Sequence, residues 1–424
     1  MSSVDTTVAA NPQRHWHVLA RYLALASRPA LIWLLIRTAN ADAAAEIGKL
    51  IISAAIVSIF LGNEAHLEYY RAEFSHYRGW TTQRYRKLQE YLRSFVTHCT
   101  LILPLSLALS YLLFPSVNPI ALTVLALAER ISDECLRIVL YQKRWSEWTG
   151  RLLAKHFIPF GMTFLLTVVA PSWVPTAYIL ASCVVATALV AVSDSTARRA
   201  LFCVIREPML PGQLRGYVAR YGQHLALRQI AAVLAANILL IDRLVGMNFW
   251  TAHQTANVIL VGQIVSGVFF ITDAKYLAQY RAEFINPDLA FKDFWRWRSY
   301  LVVIAGCTLV SLGIVFIGRN TGLLASLSEL NDLAILTLII NAGIYFGSVP
   351  LNDFVYYRGL TRSLAAVHVG LVLAFLTVAL SFASMTTPTM LIGLSFVLLL
   401  IRALSLRGLL SMLERETAGR GCRV

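Results

Sequence analysis

Several charged side chains lie inside stretches of sequence that are otherwise apolar. Arg28 lies near the middle of the run 17–37, and Glu129 and Arg130 lie near the middle of the run 119–140. A charge inside a membrane costs about 2.5–3.5 kcal/mol on insertion scales, so its presence there indicates a function by default. A guanidinium group binds phosphates through several charge-assisted hydrogen bonds. The first chemistry predicted is therefore recognition of an anionic headgroup such as a diphosphate.

Two sets of candidate residues follow from this reasoning. The candidates for substrate binding are Arg28, Arg130, Arg228, Asn237 and Asn341. The candidates for ion coupling are Glu129 and Asp133, which are four residues apart and therefore share one face of a helix. A desolvated carboxylate beside a cation can take up a proton or Na⁺ as substrate moves.

These charges also have structural interpretations, which the sequence leaves open. Arg28 could form an ion pair with Glu129. The charges that follow Glu129 are spaced to neutralise one another within one helix, as Arg130 and Glu134 are. His156 and His368 are interpreted as residues near helix ends at the membrane interface.

Composition predicts the elements that position these residues. The chain has 424 residues, of which 57% are hydrophobic and 14% charged, whereas soluble domains carry about 25% charged residues. The apolar residues form runs of roughly 17–22, the length that crosses about 30 Å of hydrocarbon. We therefore predict an all-α polytopic membrane protein with about twelve spans. The predicted spans are 17–37, 45–62, 95–115, 119–140, 152–170, 176–194, 223–242, 252–272, 299–318, 331–350, 364–386 and 389–407.

The positions of the basic residues predict the orientation of the spans. Lys and Arg cluster in the connections that follow the even-numbered spans, and four of the 37 lie on the opposite side. Those four are Arg37, Lys49, Arg243 and Arg319. Cytoplasmic loops of membrane proteins are enriched in Lys and Arg, so both termini are predicted to be cytoplasmic. The same rule accounts for the net charge of +14 without a nucleic-acid partner.

An internal repeat predicts how the spans are grouped. The segment Tyr70–Phe74 recurs identically as Tyr280–Phe284, a shift of 210 residues. His156 and His368 are 212 residues apart and occupy corresponding positions in their halves. We therefore predict two parallel six-helix bundles, an N-terminal half at 1–205 and a C-terminal half at 206–424, related by an axis along the membrane normal.

The segment Asn237–Arg243, which includes the Asp242-Arg243 dipeptide that ends span seven, is similar to the seventh helix of a known family. Together with two parallel six-span halves and a cationic interior, it resembles the Wzx-type polysaccharide repeat-unit flippases of the multidrug/oligosaccharidyl-lipid/polysaccharide exporter superfamily. This resemblance covers the whole chain in architecture. From the residues alone, Asp242-Arg243 is interpreted as a charge pair at a helix end.

The resemblance implies a function and a location. Undecaprenyl-diphosphate-linked oligosaccharide for O-antigen, capsule or exopolysaccharide would be moved between leaflets by alternating access, with proton or sodium counterflow. Members of this family have a basic cavity, and the resemblance assigns one residue of this chain, Arg28, to such a cavity. It also implies a bacterial inner membrane, membrane lipids as surroundings, and a polysaccharide polymerase and a chain-length regulator as partners.

Three other classes of protein remain as alternatives. A drug exporter of the same superfamily is expected to carry an acidic residue in an apolar first or seventh helix, where span one has Arg28. A major-facilitator transporter usually has a long middle loop and a glycine-rich basic motif after span two. A membrane polymerase or ligase needs a large outer loop, whereas the longest one here runs from about 319 to 330.

The sequence predicts neither a cofactor nor a metal site. The six cysteines are scattered, without a CxxC pair or a histidine at ligand spacing, which disfavours zinc and disulfides. No phosphate-binding glycine-rich loop, HExxH motif or Ser-His-Asp arrangement occurs at a plausible position. We therefore expect a transporter and not an enzyme.

Overall fold

The computed structural model of the chain is helical throughout the residues that it describes. These residues are 13–38, 40–62, 82–141, 144–193, 195–206, 211–220, 226–272, 296–381 and 386–421. No β-strand occurs in these ranges. The repeated Tyr-Arg-Ala-Glu-Phe segments, at 70–74 and 280–284, lie outside them.

Long helices and short connections alternate along the chain. In the first half they are α1 (Gln13–Arg37), α2 (Ala41–Leu61), α3 (Thr82–Leu113), α4 (Pro119–Tyr141), α5 (Trp145–Val169), α6 (Val174–Ala191) and α7 (Ser195–Arg206). They continue with α8 (Pro211–Arg220), α9 (Ala226–Asn237), α10 (Ile241–Gly246), α11 (Ala252–Thr272), α12 (Arg296–Asn320), α13 (Asp332–Tyr357), α14 (Thr361–Ser381) and α15 (Pro388–Gly421).

Every predicted span coincides with a helix of the described residues. Span seven coincides with two helices, α9 and α10, which are joined by a short 3₁₀ turn at Ile238–Leu240. Ten stretches of the described residues are long and apolar enough to cross a membrane. The predicted class of all-α multispan membrane protein is confirmed.

The two remaining long helices, α4 and α11, have 23 and 21 residues and could also cross the membrane by length. Five charged residues lie between positions 129 and 137 of α4, which lowers its hydropathy. This segment packs against α2, α3, α5 and α6, so its charges face other helices of the bundle. Burial among protein partners is the usual arrangement for ionisable residues in membrane spans.

The centre of the molecule is formed by α1 and α2 packed against α11, which joins the two halves of the chain. The first turns of α2 are rich in small residues, and Gly48 lies against Ile259 of α11. A Cβ atom at position 48 would stand 2.8 Å from Ile259 Cδ1, so any larger residue there would have to displace the Ile259 side chain. Small residues allow such contacts where no hydrophobic effect drives helices together. The boundary between the halves near residue 205 and the orientation of the termini stay predictions.

Candidate functional site

Four charged side chains from three helices meet in the N-terminal half, and we call them the mid-span ion cluster: Arg28, Glu129, Asp133 and Lys155. Arg28 Nη2 donates to Glu129 Oε1 at 2.6 Å. Lys155 Nζ lies 2.5 Å from Asp133 Oδ1 and 3.2 Å from Glu129 Oε2. The cluster therefore links α1, α4 and α5 through Glu129 and Lys155.

The cluster lies near the middle of the predicted membrane. Glu129 and Lys155 each follow the first residue of their helix by ten positions, which corresponds to about 15 Å at 1.5 Å per residue. Half of a hydrocarbon core of about 30 Å is the same distance. Lys155 Nζ lies 3.2 Å from Glu129 Oε2, so both side chains end at the same depth.

The cluster is electrically neutral, and two of its members are partly open to their surroundings. Its two cations balance its two carboxylates, and the ion pair of Arg28 with Glu129 is the structural interpretation that the sequence left open. Asp133 is 43% exposed and Arg28 is 23% exposed, whereas Lys155 is 8% exposed. The structural interpretation of Arg28 as an ion-pair partner of Glu129 is confirmed, and its role in substrate binding stays a prediction.

Lys155 is the member of the cluster that the sequence analysis missed. Span five was predicted to begin at 152, which places position 155 at a helix end, but α5 begins at Trp145. Its first turns carry ion pairs from Glu147 to Arg144 and Arg151, so charged residues belong to the helix. The spacing of these charges at three and four residues was the available signal.

Two further residues face the mid-span ion cluster. His156 interacts electrostatically with Arg28, Lys155 and Glu129, so it lies in the bundle beside the cluster. The predicted position near a membrane interface is wrong for this histidine, for the same reason as for Lys155. Tyr178 of α6 is buried and also faces the cluster.

Arg130 belongs to a different network from Arg28. Its guanidinium pairs with Glu134 at 2.7 Å and lies 5.8 Å from the centre of the Phe95 ring. Glu134 also accepts from Arg137 at 2.5 Å and from the hydroxyl of Tyr91. Consecutive residues of a helix point in directions about 100° apart, so Glu129 and Arg130 face different neighbours. The pairing within α4 that the sequence allowed is confirmed for Arg130 and Glu134.

The candidates of the C-terminal half are held by backbone groups and lie apart from Arg28. Asn237 Nδ2 donates to Val233 O of its own helix at 2.7 Å. Asn341 Nδ2 donates to Ile392 O of α15 at 3.1 Å and is 2% exposed. Arg228 is the third residue of α9, and its side chain lies outside the described residues.

The Asp242-Arg243 dipeptide is buried in α10 and is not a surface pair. Asp242 is 1% exposed and Arg243 is 3% exposed, and their side chains approach to 4.0 Å. Asp242 Oδ1 accepts the backbone N–H of Arg243 at 2.8 Å. The guanidinium lies against Gly262 of α11, where a Cβ atom would stand 2.4 Å from Arg243 Cζ.

A second buried arginine, Arg402 of α15, was also missed by the sequence analysis. Arg402 Nε donates to His368 Nε2 at 3.1 Å, and Nη1 donates to Ser348 Oγ at 2.5 Å. Its guanidinium lies over the Tyr345 ring, 5.1 Å from the centre. Span twelve was predicted to stop at 407, five residues after Arg402, whereas α15 continues to Gly421 and places Arg402 well inside the helix. His368 is 0% exposed and follows the first residue of α14 by seven positions, so its side chain is packed within the bundle and not at a helix end.

Hydrogen bonds join the two halves of the chain at both ends of the bundle. At the predicted outer end, Trp33 Nε1 donates to Leu323 O at 2.8 Å, and Arg37 Nη2 donates to Gly322 O at 2.9 Å. Gly322 has a φ of +76°, a conformation that glycine adopts without strain. At the predicted inner end, Gln229 Nε2 donates to Gly62 O at 2.7 Å. The bundle is thus bridged at both ends in this conformation.

No group of three His, Cys, Asp or Glu side chains that could hold a metal ion occurs in the part of the chain that the structure describes. The acidic residues of the mid-span ion cluster are each paired with a cation. What this arrangement can do is exchange ion-pair partners: an anion that binds Arg28 would compete with Glu129 for the guanidinium.

Comparisons with known proteins give one informative likeness. No protein-family model matches the chain. No curated protein matches it either. Among solved structures, the chain is similar to the lipid II flippase MurJ in an inward closed conformation, with a TM-score of 0.61 and 12% identity over 92% of this chain and 86% of that chain. At this identity the likeness shows a shared fold, and the predicted all-α multispan fold is confirmed.

Proposed function

We propose that the protein moves an undecaprenyl-diphosphate-linked oligosaccharide from one leaflet of a membrane to the other by alternating access. The observation that carries this proposal is the shared fold over nine-tenths of the chain with a protein named as a lipid II flippase. A lipid-linked headgroup must pass a low-dielectric interior, and the mid-span ion cluster supplies charged groups at that depth. The contacts at both ends of the bundle support a mechanism in which the ends open in turn.

Within this proposal, Arg28 binds the diphosphate and Glu129 and Asp133 couple transport to an ion. A phosphate beside Arg28 replaces Glu129 as the partner of the guanidinium, and Glu129 can then take a proton or Na⁺. Lys155 keeps Asp133 and Glu129 within reach in the absence of substrate. Arg130, Arg228, Asn237 and Asn341 stay predictions as substrate contacts, and the side chains of Arg130, Asn237 and Asn341 face protein partners in this conformation.

The biological setting belongs to the same proposal. We place the protein in the inner membrane of a bacterium, with both termini in the cytoplasm, because the basic residues follow the even-numbered spans. The substrate would be a repeat unit of O-antigen, capsule or exopolysaccharide. A polymerase that consumes it on the outer side and a chain-length regulator would be the protein partners.

Reconstituted vesicles test the function directly. A fluorescent undecaprenyl-diphosphate disaccharide is placed in both leaflets, and an impermeant quencher added outside reports how fast the inner pool becomes accessible. We expect the wild-type chain to accelerate this exchange. Arg28→Ala should slow it at least tenfold, which corresponds to about 1.4 kcal/mol of added activation free energy. Arg28→Lys should retain part of the rate because a lysine can still meet a phosphate as a point charge.

Two controls separate the outcomes. Arg21→Ala removes an arginine nearer the start of α1 and should leave the exchange rate unchanged. Imposed pH or sodium gradients then test the coupling role, since a gradient of the coupling ion should drive net accumulation. Exchange no faster than in empty vesicles would refute the flippase proposal, and a normal rate with Arg28→Ala would refute the role of that residue.

A further inference from the structure

A crevice on the surface of the N-terminal half is distinct from the mid-span ion cluster. It lies between α3, α4 and α7 and has a volume of about 1090 Å³, including the part open to the surroundings. Leu103 and Ile205 line it and are 36% and 58% exposed, so the crevice opens at the outer surface of the bundle. In a membrane this surface faces lipid.

The length of the crevice corresponds to one leaflet of a bilayer. Its walls extend along α3 from Leu92 to Leu103 and along α4 from Leu127 to Ile138. Each of these segments advances by eleven residues, or about 16 Å at 1.5 Å per residue. The hydrocarbon core of a bilayer is about 30 Å thick, so the crevice covers about half of it.

One end of the crevice carries positive charge. Arg198 of α7 lines it there, and its Nε atom is buried without a hydrogen-bond partner. Helix α7 has the properties of an interfacial helix, because it buries Ala200 and Val204 against α3 and exposes Arg199 and Arg206. Its position puts the cations at the level where lipid headgroups lie.

The acidic residue in the wall does not cancel this charge. Glu134 lines the crevice, but its carboxylate is paired with Arg130 at 2.7 Å and with Arg137 at 2.5 Å. Two guanidinium groups on one carboxylate leave a net positive charge even before Arg198 is counted. The crevice thus combines an apolar slot one leaflet long with a cationic end.

We propose that this crevice binds one acyl chain of an anionic phospholipid, with the lipid phosphate beside Arg198. The apolar walls match the chain, and the leaflet-length slot places the headgroup at α7. A cation near an anionic membrane surface contributes about 1 kcal/mol of attraction. The site does not depend on the proposed transport activity, since it lies on the other side of α4 from Arg28.

Native mass spectrometry of the purified full-length chain tests the site with phosphatidylglycerol and phosphatidylcholine as probes. The wild-type chain should retain phosphatidylglycerol in preference to phosphatidylcholine. Arg198→Gln should lower the affinity for phosphatidylglycerol about fivefold, the change that corresponds to about 1 kcal/mol. Arg206→Gln removes an exposed arginine from the same helix and should leave that affinity unchanged.

A second pair of variants tests the apolar slot. Thr100 lines the crevice and is exposed, so Thr100→Trp fills the slot without displacing the core. Leu101, on the same helix, is 42% exposed but does not line the crevice, so Leu101→Trp is the matched control. We expect loss of bound phosphatidylglycerol with Thr100→Trp and none with Leu101→Trp.

Several outcomes would overturn the proposal. Equal losses for Arg198→Gln and Arg206→Gln would indicate general attraction to the membrane surface. Equal retention of the two phospholipids would remove the role of charge, and retention unchanged by Thr100→Trp would remove the role of the slot. Displacement of phosphatidylglycerol by equimolar undecaprenyl phosphate would assign the crevice to the tail of a transported lipid instead.

Discussion

The two halves of the chain place polar groups differently in the membrane-spanning region. In the N-terminal half, Arg28 and Asp133 are partly exposed members of a neutral cluster of four ions. In the C-terminal half, Asn341 and Arg402 are 2% and 1% exposed, and their hydrogen-bond partners are uncharged. Under the 212-residue shift that aligns the two histidines, Glu129 corresponds to Asn341. A carboxylate in one half thus matches an amide in the other.

This difference indicates a division of tasks between the halves. Partly exposed ions can exchange partners when a charged headgroup arrives, whereas the deeply buried Asn341 and Arg402 hold helices together through uncharged partners. In the C-terminal half, Asn341 joins α13 to α15, and Arg402 joins α15 to α13 and α14. We therefore expect substitutions in the mid-span ion cluster to act through charge balance and those at Asn341 and Arg402 to act through hydrogen-bond geometry.

The largest expected effect on stability concerns the charge balance of the mid-span ion cluster. Lys155→Met removes the ammonium group that lies 2.5 Å from Asp133 Oδ1. The free energy of unfolding should fall by about 3 kcal/mol, which is the lower end of the range for a broken buried ion pair. The lower end applies because Asp133 is partly exposed. Thermal unfolding in detergent measures this loss. Adding Asp133→Asn restores neutrality and should recover most of the stability. Equal unfolding temperatures for the single and double variants would show that charge balance is not the cause.

A smaller effect is expected when an arginine is replaced by lysine in the C-terminal half. Arg402→Lys cannot meet both His368 and Ser348, because a single ammonium lacks the fork of the guanidinium. Losing one buried hydrogen bond should cost about 1–3 kcal/mol in thermal unfolding. Arg28→Lys is the matched variant in the N-terminal half, where a point charge beside Glu129 suffices and little change is expected. Similar losses at both positions would contradict the division of tasks.

The smallest effect is expected at Asn341. Asn341→Ala removes one hydrogen bond between α13 and α15, and such bonds contribute about 0.6 kcal/mol on average in membranes. The free energy of unfolding, measured in detergent, should fall by that small amount. The control is Asn237→Ala, whose bond to Val233 O lies within one helix and should matter less. A large loss of transport with Asn341→Ala would instead place this amide in the substrate path.

Much of the fold could be predicted from the sequence because apolar length is a local property. Each predicted span coincides with a helix, and the pairs Arg28–Glu129 and Arg130–Glu134 were among the stated possibilities. The errors concern helix ends. Because α5 and α15 begin or end well outside the apolar runs, Lys155 and Arg402 were not recognised as interior residues.

Contacts between distant segments could not be predicted in the same way. The approach of Lys155 to Asp133 depends on how α4 and α5 pack, and the bond from Arg402 to His368 depends on the packing of α14 against α15. Hydropathy carries no information about which face of a span meets which neighbour. The Gly48 contact with Ile259 likewise required the positions of two helices from different halves.

Three of the bonds that join the halves at the two ends have main-chain oxygens as acceptors. The side chains of Trp33 and Arg37 donate to the carbonyls of Leu323 and Gly322, and Gln229 donates to the carbonyl of Gly62. A carbonyl that water reaches when the halves separate is hydrated, so each broken bond costs a net of only about 0.5–1.5 kcal/mol. Separation at either end is consequently readily reversible, and the energy difference between conformers can be small enough for a bound molecule to decide which one predominates.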